Sequence, residues 1–256
     1  MIGTQLHRLW FPFGLGPESA EVSLFCLPFA GGGASNFLDW GDLDPRVGVA
    51  PIQYPGHETR IDEMLLDDID SMIQKLADVI IPSLDRPYLL FGYSMGAKLA
   101  YALAKRLEFL GFPLPLCLFV AAHLPPDQVS SVQRANGLPD AAFKRVVCEY
   151  GGIPDELFDD EEFCSMALPI LRADFKLATQ PIDFGPLDCP IIGYAGNNDL
   201  TASPSEMKAW KRFTNKSYRL HTFAGGHFFF RSAVDFKAAL STHILAARQP
   251  VVLLDN

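Results

Sequence analysis

The stretch from Tyr88 to Leu107 constrains this chain more than any other. Tyr88 to Phe91 is a short apolar run after Pro87, with an aromatic at each end, the pattern of a buried strand. Ala97 to Leu107 is rich in strong helix formers and contains neither Gly nor Pro. Between them lies Gly92-Tyr93-Ser94-Met95-Gly96, a G-x-S-x-G sequence joining strand to helix. A turn that sharp strains the serine backbone. It also needs the strand and helix to approach closely, which Gly92 and Gly96 permit by lacking a Cβ. Ser94 Oγ then projects at the carboxyl edge of a sheet, over a helix N-terminus whose dipole favours developing negative charge. Five-residue patterns arise readily by chance, so the strand before and the helix after give this one its weight. A functional reading requires the rest of the chain to supply an acid, a base and oxyanion donors.

The chain must also be long enough to carry such a sheet. It has 256 residues, 49% of them hydrophobic, which suits one α/β domain over residues 1–256 with a sizeable core. Its formal charge of −9 argues against nucleic-acid binding, which needs a basic surface. The cysteines at 26, 117, 148, 164 and 189 are odd in number and show no C-x-x-C spacing, so neither a disulfide framework nor a zinc site is expected. No charged N-terminal region leads into an apolar run, and no apolar stretch is long enough to span a membrane. The expectation is a monomer of the cytoplasm, with no membrane contact and no bound metal.

Taken in order, Met1 to Glu21 holds the aromatic cluster Trp10-Phe11-Pro12-Phe13, read as an edge strand or arm. Val22 to Leu27 reads as a strand running into Pro28-Phe29-Ala30-Gly31-Gly32-Gly33. A Gly-rich loop after a first strand can be a dinucleotide-binding turn, but G-x-G-x-x-G is absent. The other reading is a loop whose backbone N–H helps form an oxyanion hole, with Ala30 and Met95 as the donors. A strand over Val47 to Tyr54 ends at His57-Glu58-Thr59-Arg60, either a site at a strand's carboxyl end or a charged loop held by its own ion pairs. Asp67 to Ile81 has the spacing of a packing helix. Another strand covers Leu116 to Ala122.

From Pro125 to Pro181 the strand–helix rhythm stops, and the stretch is too long for a connection. It reads as a helical lid inserted over the sheet edge, with helices near Ala141 to Glu149 and Phe163 to Ala178. Its acidic run reads as a solvated face. The rhythm resumes with a strand at Pro190 to Ala195, a helix opened by Ser203 and Pro204 and running to Phe213, a strand at Ser217 to Phe223, and a helix at Val234 to Ala247.

Asp199 and His227 each follow one of these later strands. Ser94, Asp199, His227 is the chain order of α/β-hydrolases. In that chemistry His227 takes the serine proton, and Asp199 fixes the imidazole tautomer and stabilises its charged form. His221 and His243 fall inside elements and read as structural, which leaves His123, just past a strand end, as the rival base. Asp183 and Asp188 precede the relevant strand rather than follow it.

With these residues in place, the chain resembles the type II thioesterases of polyketide and non-ribosomal peptide synthesis. The resemblance rests on Leu27-Pro28-Phe29-Ala30-Gly31-Gly32-Gly33, Tyr54-Pro55-Gly56-His57-Glu58-Thr59-Arg60, Gly92 to Ala97, Tyr150-Gly151-Gly152-Ile153-Pro154, Leu171-Arg172-Ala173-Asp174-Phe175, Gly196-Asn197-Asn198-Asp199 and Gly225-Gly226-His227-Phe228-Phe229. It implies an α/β-hydrolase fold, an acyl-Ser94 intermediate and no cofactor of the enzyme's own, the phosphopantetheine arriving with the substrate. It also implies acyl or peptidyl carrier proteins as partners. Two departures bear on the pocket: Tyr93 stands where the family usually has histidine, and Ala121-Ala122-His123-Leu124-Pro125-Pro126 replaces a Ser-Gly-Arg-like turn. Phe29, Tyr93, Phe163, Met166 and Phe228 are the expected acyl-contacting side chains. The alternatives are a small-molecule carboxylesterase or lipase, a medium-chain fatty acyl-carrier thioesterase, and a non-catalytic carrier-binding module.

Overall fold

A computed structural model describes residues 2–128, 135, 137–183 and 185–248. Part of the predicted lid, 129–134 and 136, lies outside the described residues, as do the last eight residues of the predicted domain. The strands are β1 (Val22–Leu27), β2 (Val47–Pro51), β3 (Tyr88–Tyr93), β4 (Leu118–Ala121), β5 (Ile191–Gly196) and β6 (Tyr218–Phe223). They form one sheet in the order β2-β1-β3-β4-β5-β6, with every neighbouring pair parallel. β1, β3 and β4 are wholly buried and, Ser23 apart, free of strongly polar side chains, because helices cover both faces of the sheet.

Alternation along a strand sorts its side chains between two cores. Phe25, Leu27, Tyr88 and Leu90 pack with α2 (Ile69–Ile80) and α3 (Met95–Phe109) on one face. Leu24, Cys26, Phe91 and Tyr93 pack with Phe37, Trp40 and α7 (Phe236–Ala247) on the other. Each fully buried Leu or Phe stabilises the fold by roughly 1.5–3 kcal/mol. A third cluster lies between β4 and β5 in sequence. There α4 (Asp140–Glu149), a 3-10 turn at Asp155–Asp159 and α5 (Glu161–Thr179) pack through Phe143, Val147, Phe158, Leu171 and Phe175.

The structure corrects two expectations. Met1 to Glu21 is not an edge strand or arm: Ile2–Trp10 is a helix, α1. It stops just before Pro12, whose ring disfavours helical backbone at the residue ahead of it. Trp10 and Phe11 are buried, and the Arg60 guanidinium lies over the Trp10 ring at 4.7 Å. The helix expected to run from Ser203 to Phe213 is only α6 (Pro204–Met207), continued by 3-10 turns over Lys208–Phe213. The Ser203–Glu206 capping box starts it as an α-helix. Beyond it, buried Trp210 and Phe213 are three residues apart, a spacing that 3-10 geometry puts on one side.

Candidate active site

Chain order reverses direction between β1 and β3. β1 leads outward to β2, and the chain then crosses back to β3 on the other side of β1. A crevice opens at such a switch point, outside the carboxyl ends of the strands. The loop after β1 and the turn after β3 both line it.

Ser94 is that turn. Its φ of 51° and ψ of −120° are sterically poor for a side-chain-bearing residue, a cost on the order of 1–3 kcal/mol. Packing enforces it. A Cβ on Gly92 would lie 2.1 Å from the Gly96 carbonyl oxygen, and one on Gly96 would lie 2.1 Å from that of Leu27. Strand, helix and the loop after β1 touch backbone to backbone there, so either substitution forces the elbow open.

Beside Ser94 the loops after β5 and β6 bring up the other two groups. His227 Nε2 lies 3.0 Å from Ser94 Oγ, and its Nδ1 lies 2.9 Å from Asp199 Oδ2. Both partners of the serine are buried. Burial raises the Asp199 carboxyl pKa, but hydrogen bonds from His227 and Thr201 outweigh it and hold it below the usual value. Thr201 was not anticipated from sequence. Its backbone N–H and hydroxyl donate to Asp199 Oδ1 at 2.8 and 2.7 Å, and its oxygen lies 2.8 Å from His227 Nδ1. The available signal was its place two residues after the acid, where a short side chain bonds back locally.

These groups open onto a cavity of about 510 Å³ between the sheet edge and helices α4 and α5. Ser94, His227, Ala30 and Met95 line it together, as do Phe29 and Phe228. Three other expected contacts are corrected. Tyr93 does not line the cavity. Strand alternation turns it into the opposite core, where it is fully buried and its hydroxyl donates to the His227 carbonyl at 2.5 Å. Phe163 packs on Phe158 with ring centres 5.7 Å apart, and Met166 is 53% exposed. The face of α5 that meets the cavity carries Leu171, Phe175 and Ala178, at helical spacing, and Phe163 and Met166 lie off it.

His123 lines the cavity, but its Nδ1 is held by the Leu124 carbonyl at 2.6 Å. Burial first, then the nearby Lys98 charge, pulls its pKa down to about 4. The His57 loop braces the site without lining the cavity. Glu58 accepts from the Ser35 backbone and hydroxyl, and Gln53 Oε1 accepts from Ala34 N–H at 3.0 Å. His57 Nε2 lies 2.9 Å from Asp174 Oδ2, which also accepts the Gly31 N–H at 2.7 Å. Helix α5 is thereby tied to the loop carrying Ala30. Among the described residues, no group of three or more His, Cys, Asp or Glu side chains is placed to hold a metal ion. No described helix is long and apolar enough to cross a membrane.

A serine, an acid and a histidine in this order on a doubly wound parallel sheet define a serine hydrolase of the α/β-hydrolase class. The thioesterase-domain family model matches residues 22–246, and the chain belongs to the thioesterase family. It is 33% identical over 223 residues to the gramicidin S biosynthesis protein GrsT of Aneurinibacillus migulanus, covering 86% of this chain and 87% of that protein. Among solved structures it is similar to RedJ, the thioesterase of the prodiginine pathway in Streptomyces coelicolor. The TM-score is 0.80 at 31% identity, with 94% of this chain and 93% of that one covered. The type II thioesterase BorB of the borrelidin cluster superimposes with a TM-score of 0.75 at 31% identity, over 92% of this chain and 94% of that one. The resemblance to type II thioesterases drawn from the motifs therefore holds.

Proposed function

We propose that this chain hydrolyses acyl thioesters from the phosphopantetheine arm of carrier proteins in polyketide or non-ribosomal peptide assembly. The observation that carries the reading is the hydrogen-bonded line Ser94–His227–Asp199 at the wall of a cavity roofed by α4 and α5. Ser94 Oγ attacks the thioester carbonyl as His227 Nε2 takes its proton. The backbone N–H groups of Ala30 and Met95 receive the oxyanion, and the thiol leaves with the proton from His227. Water, deprotonated by the same imidazole, then cleaves the acyl-Ser94 ester. Asp199 stays ionised and stabilises the imidazolium, as its lowered pKa favours. The enzyme needs no cofactor in this scheme. A cytoplasmic setting fits the five free cysteines, four of them buried.

The test is a panel of acyl-loaded carrier proteins scored by intact-protein mass, beside oxygen esters of the same acyl groups. Carrier thioesters are expected to be cleaved faster. Ser94→Ala is expected to lose roughly 10⁴-fold or more in kcat with an unchanged melting temperature. Preference for the oxygen esters would favour the esterase reading, and an active Ser94→Ala would remove Ser94 as the nucleophile.

A further inference from the structure

The cavity wall holds a buried cation that the reaction scheme does not use. Lys98 lies on α3, one helical turn beyond Ser94, roughly 6 Å along the axis. It is 5% exposed and lines the cavity. Its chain neighbours Ala97, Leu99 and Ala100, on other faces of α3, are buried as well, so the helix is packed around and the ammonium has a specific place rather than a solvated one. The amine donates to the Ala178 carbonyl at 2.9 Å and to the Gln180 carbonyl, where α5 ends. An ammonium carries three N–H donors. Among the described residues the third has no partner, and no carboxylate lies within ion-pair reach of Lys98.

Among the described residues no Asp or Glu lines the cavity to supply a counter-charge. His123, on the same wall, adds no second cation at physiological pH, since burial and the Lys98 charge pull its pKa to about 4. Leu124, Leu171 and Phe175 make much of the remaining surface apolar. Burial draws the Lys98 amine down to about 8, which leaves it mostly charged at neutral pH. Once an acyl chain displaces solvent from the cavity, a cation with an unused donor is costly unless the chain itself offers an acceptor. In pockets of this kind the few polar groups set orientation and selectivity.

We propose that Lys98 determines acyl specificity by donating its free N–H to an oxygen substituent of the acyl chain, a few carbons beyond the thioester carbonyl. This rests on the reading that the acyl chain occupies the cavity. The favoured substrates are then oxygenated chains, bearing a ketone, hydroxyl or carboxylate. Plain alkyl chains leave the donor unpaired, and amine-bearing chains meet a like charge.

Three pantetheine thioesters of equal chain length test this: one plain, one with a mid-chain ketone and one with a mid-chain amine. The readout is the ratio of their kcat/KM values within each protein. A purely structural role for Lys98, tying down the end of α5, would change all three rates together and leave the ratios alone. The wild type is expected to prefer the ketone over the plain chain by about tenfold or more, and to disfavour the amine. Lys98→Met is expected to bring both ratios close to one. Lys98→Gln keeps an N–H donor and should retain part of the ketone preference. A wild type without ketone preference, or ratios unchanged in Lys98→Met, overturns the proposal. If Lys98→Met fails to fold, the wild-type ratio and Lys98→Gln decide it. Hydrolysis of none of the three by the wild type would instead overturn the thioesterase reading on which the proposal rests.

Discussion

Thr201 shows how much of a catalytic acid's environment lies outside the acid itself. Asp199 Oδ1 accepts three hydrogen bonds, from Thr201 N–H, the Thr201 hydroxyl and Ala202 N–H, which leaves Oδ2 for His227. The carboxylate cannot rotate without breaking that set, so the imidazole it faces is held in one orientation. Thr201→Val removes the hydroxyl while keeping the shape of the side chain. A hydrogen bond to a charged group is worth about 1.5–3 kcal/mol, so kcat is expected to fall roughly ten- to 150-fold with little change in KM. Steady-state kinetics on one acyl-pantetheine thioester measure this, and an unchanged kcat would remove Thr201 from the positioning of Asp199. Tyr93 acts at the same scale from below the site, since its hydroxyl holds the His227 carbonyl.

At the scale of elements, α5 is both a wall of the cavity and a tether. Its cavity-facing residues are Leu171, Phe175 and Ala178, one turn and more beyond Phe163 and Met166, and the proposed function makes them the acyl boundary. Phe175→Leu shortens that wall and should shift preference along a ladder of straight-chain acyl thioesters toward longer chains. Met166→Ala, half exposed, should leave the preference where it was. The reverse pattern would return the boundary to the outer end of α5. The tether is the buried His57–Asp174 pair. Burial opposes the His57 charge, but the Asp174 carboxylate, its hydrogen bond and the Pro55 carbonyl outweigh burial and raise the pKa. A group whose folded pKa is raised stabilises fully below its unfolded value, about 6.5 for histidine, and loses that contribution as pH rises through the folded value. Wild-type melting temperature should therefore fall across that window more steeply than that of His57→Asn. Parallel melting curves for the two proteins against pH would show that folding does not raise the His57 pKa.

At the scale of the molecule, the net charge of −9 matters for any acidic partner, because long-range attraction is unavailable and docking must use a local patch. The densest basic stretch is Lys208, Lys211, Arg212, Lys216 and Arg219. Its 3-10 turn is anchored beside the cavity by the Trp210 indole, which donates to the His123 carbonyl at 2.8 Å. Arg212 already pairs with Asp127 at 2.7 Å, so Lys211 carries more of the available charge. Lys211→Glu with Arg212→Glu is expected to raise KM for acyl-carrier substrate in a salt-dependent way and to leave a small acyl-pantetheine untouched. Equal effects on both substrates would take this stretch out of the docking surface.

The meeting of Ser94, Asp199 and His227, the parallel sheet and the helical segment between β4 and β5 were legible in the sequence because each has a local signature. A strained elbow needs glycines at fixed offsets, buried parallel strands need continuous apolar runs, and an insertion interrupts a rhythm. The helical state of Ile2–Trp10 was hidden because an aromatic cluster suits a strand or a helix equally, and packing against Arg60 and the core decided it. Thr201, the Asp174 bond to Gly31 and the cavity face of α5 depend on which loop ends meet at the switch point between β1 and β3. That is a matter of distances between residues far apart in the chain, such as the 143 positions separating Gly31 from Asp174. Lys98 is the sharpest case. In sequence it is one lysine in an ordinary helix, and only the crossing of α3 beneath the end of α5 makes it a buried cation with a donor to spare.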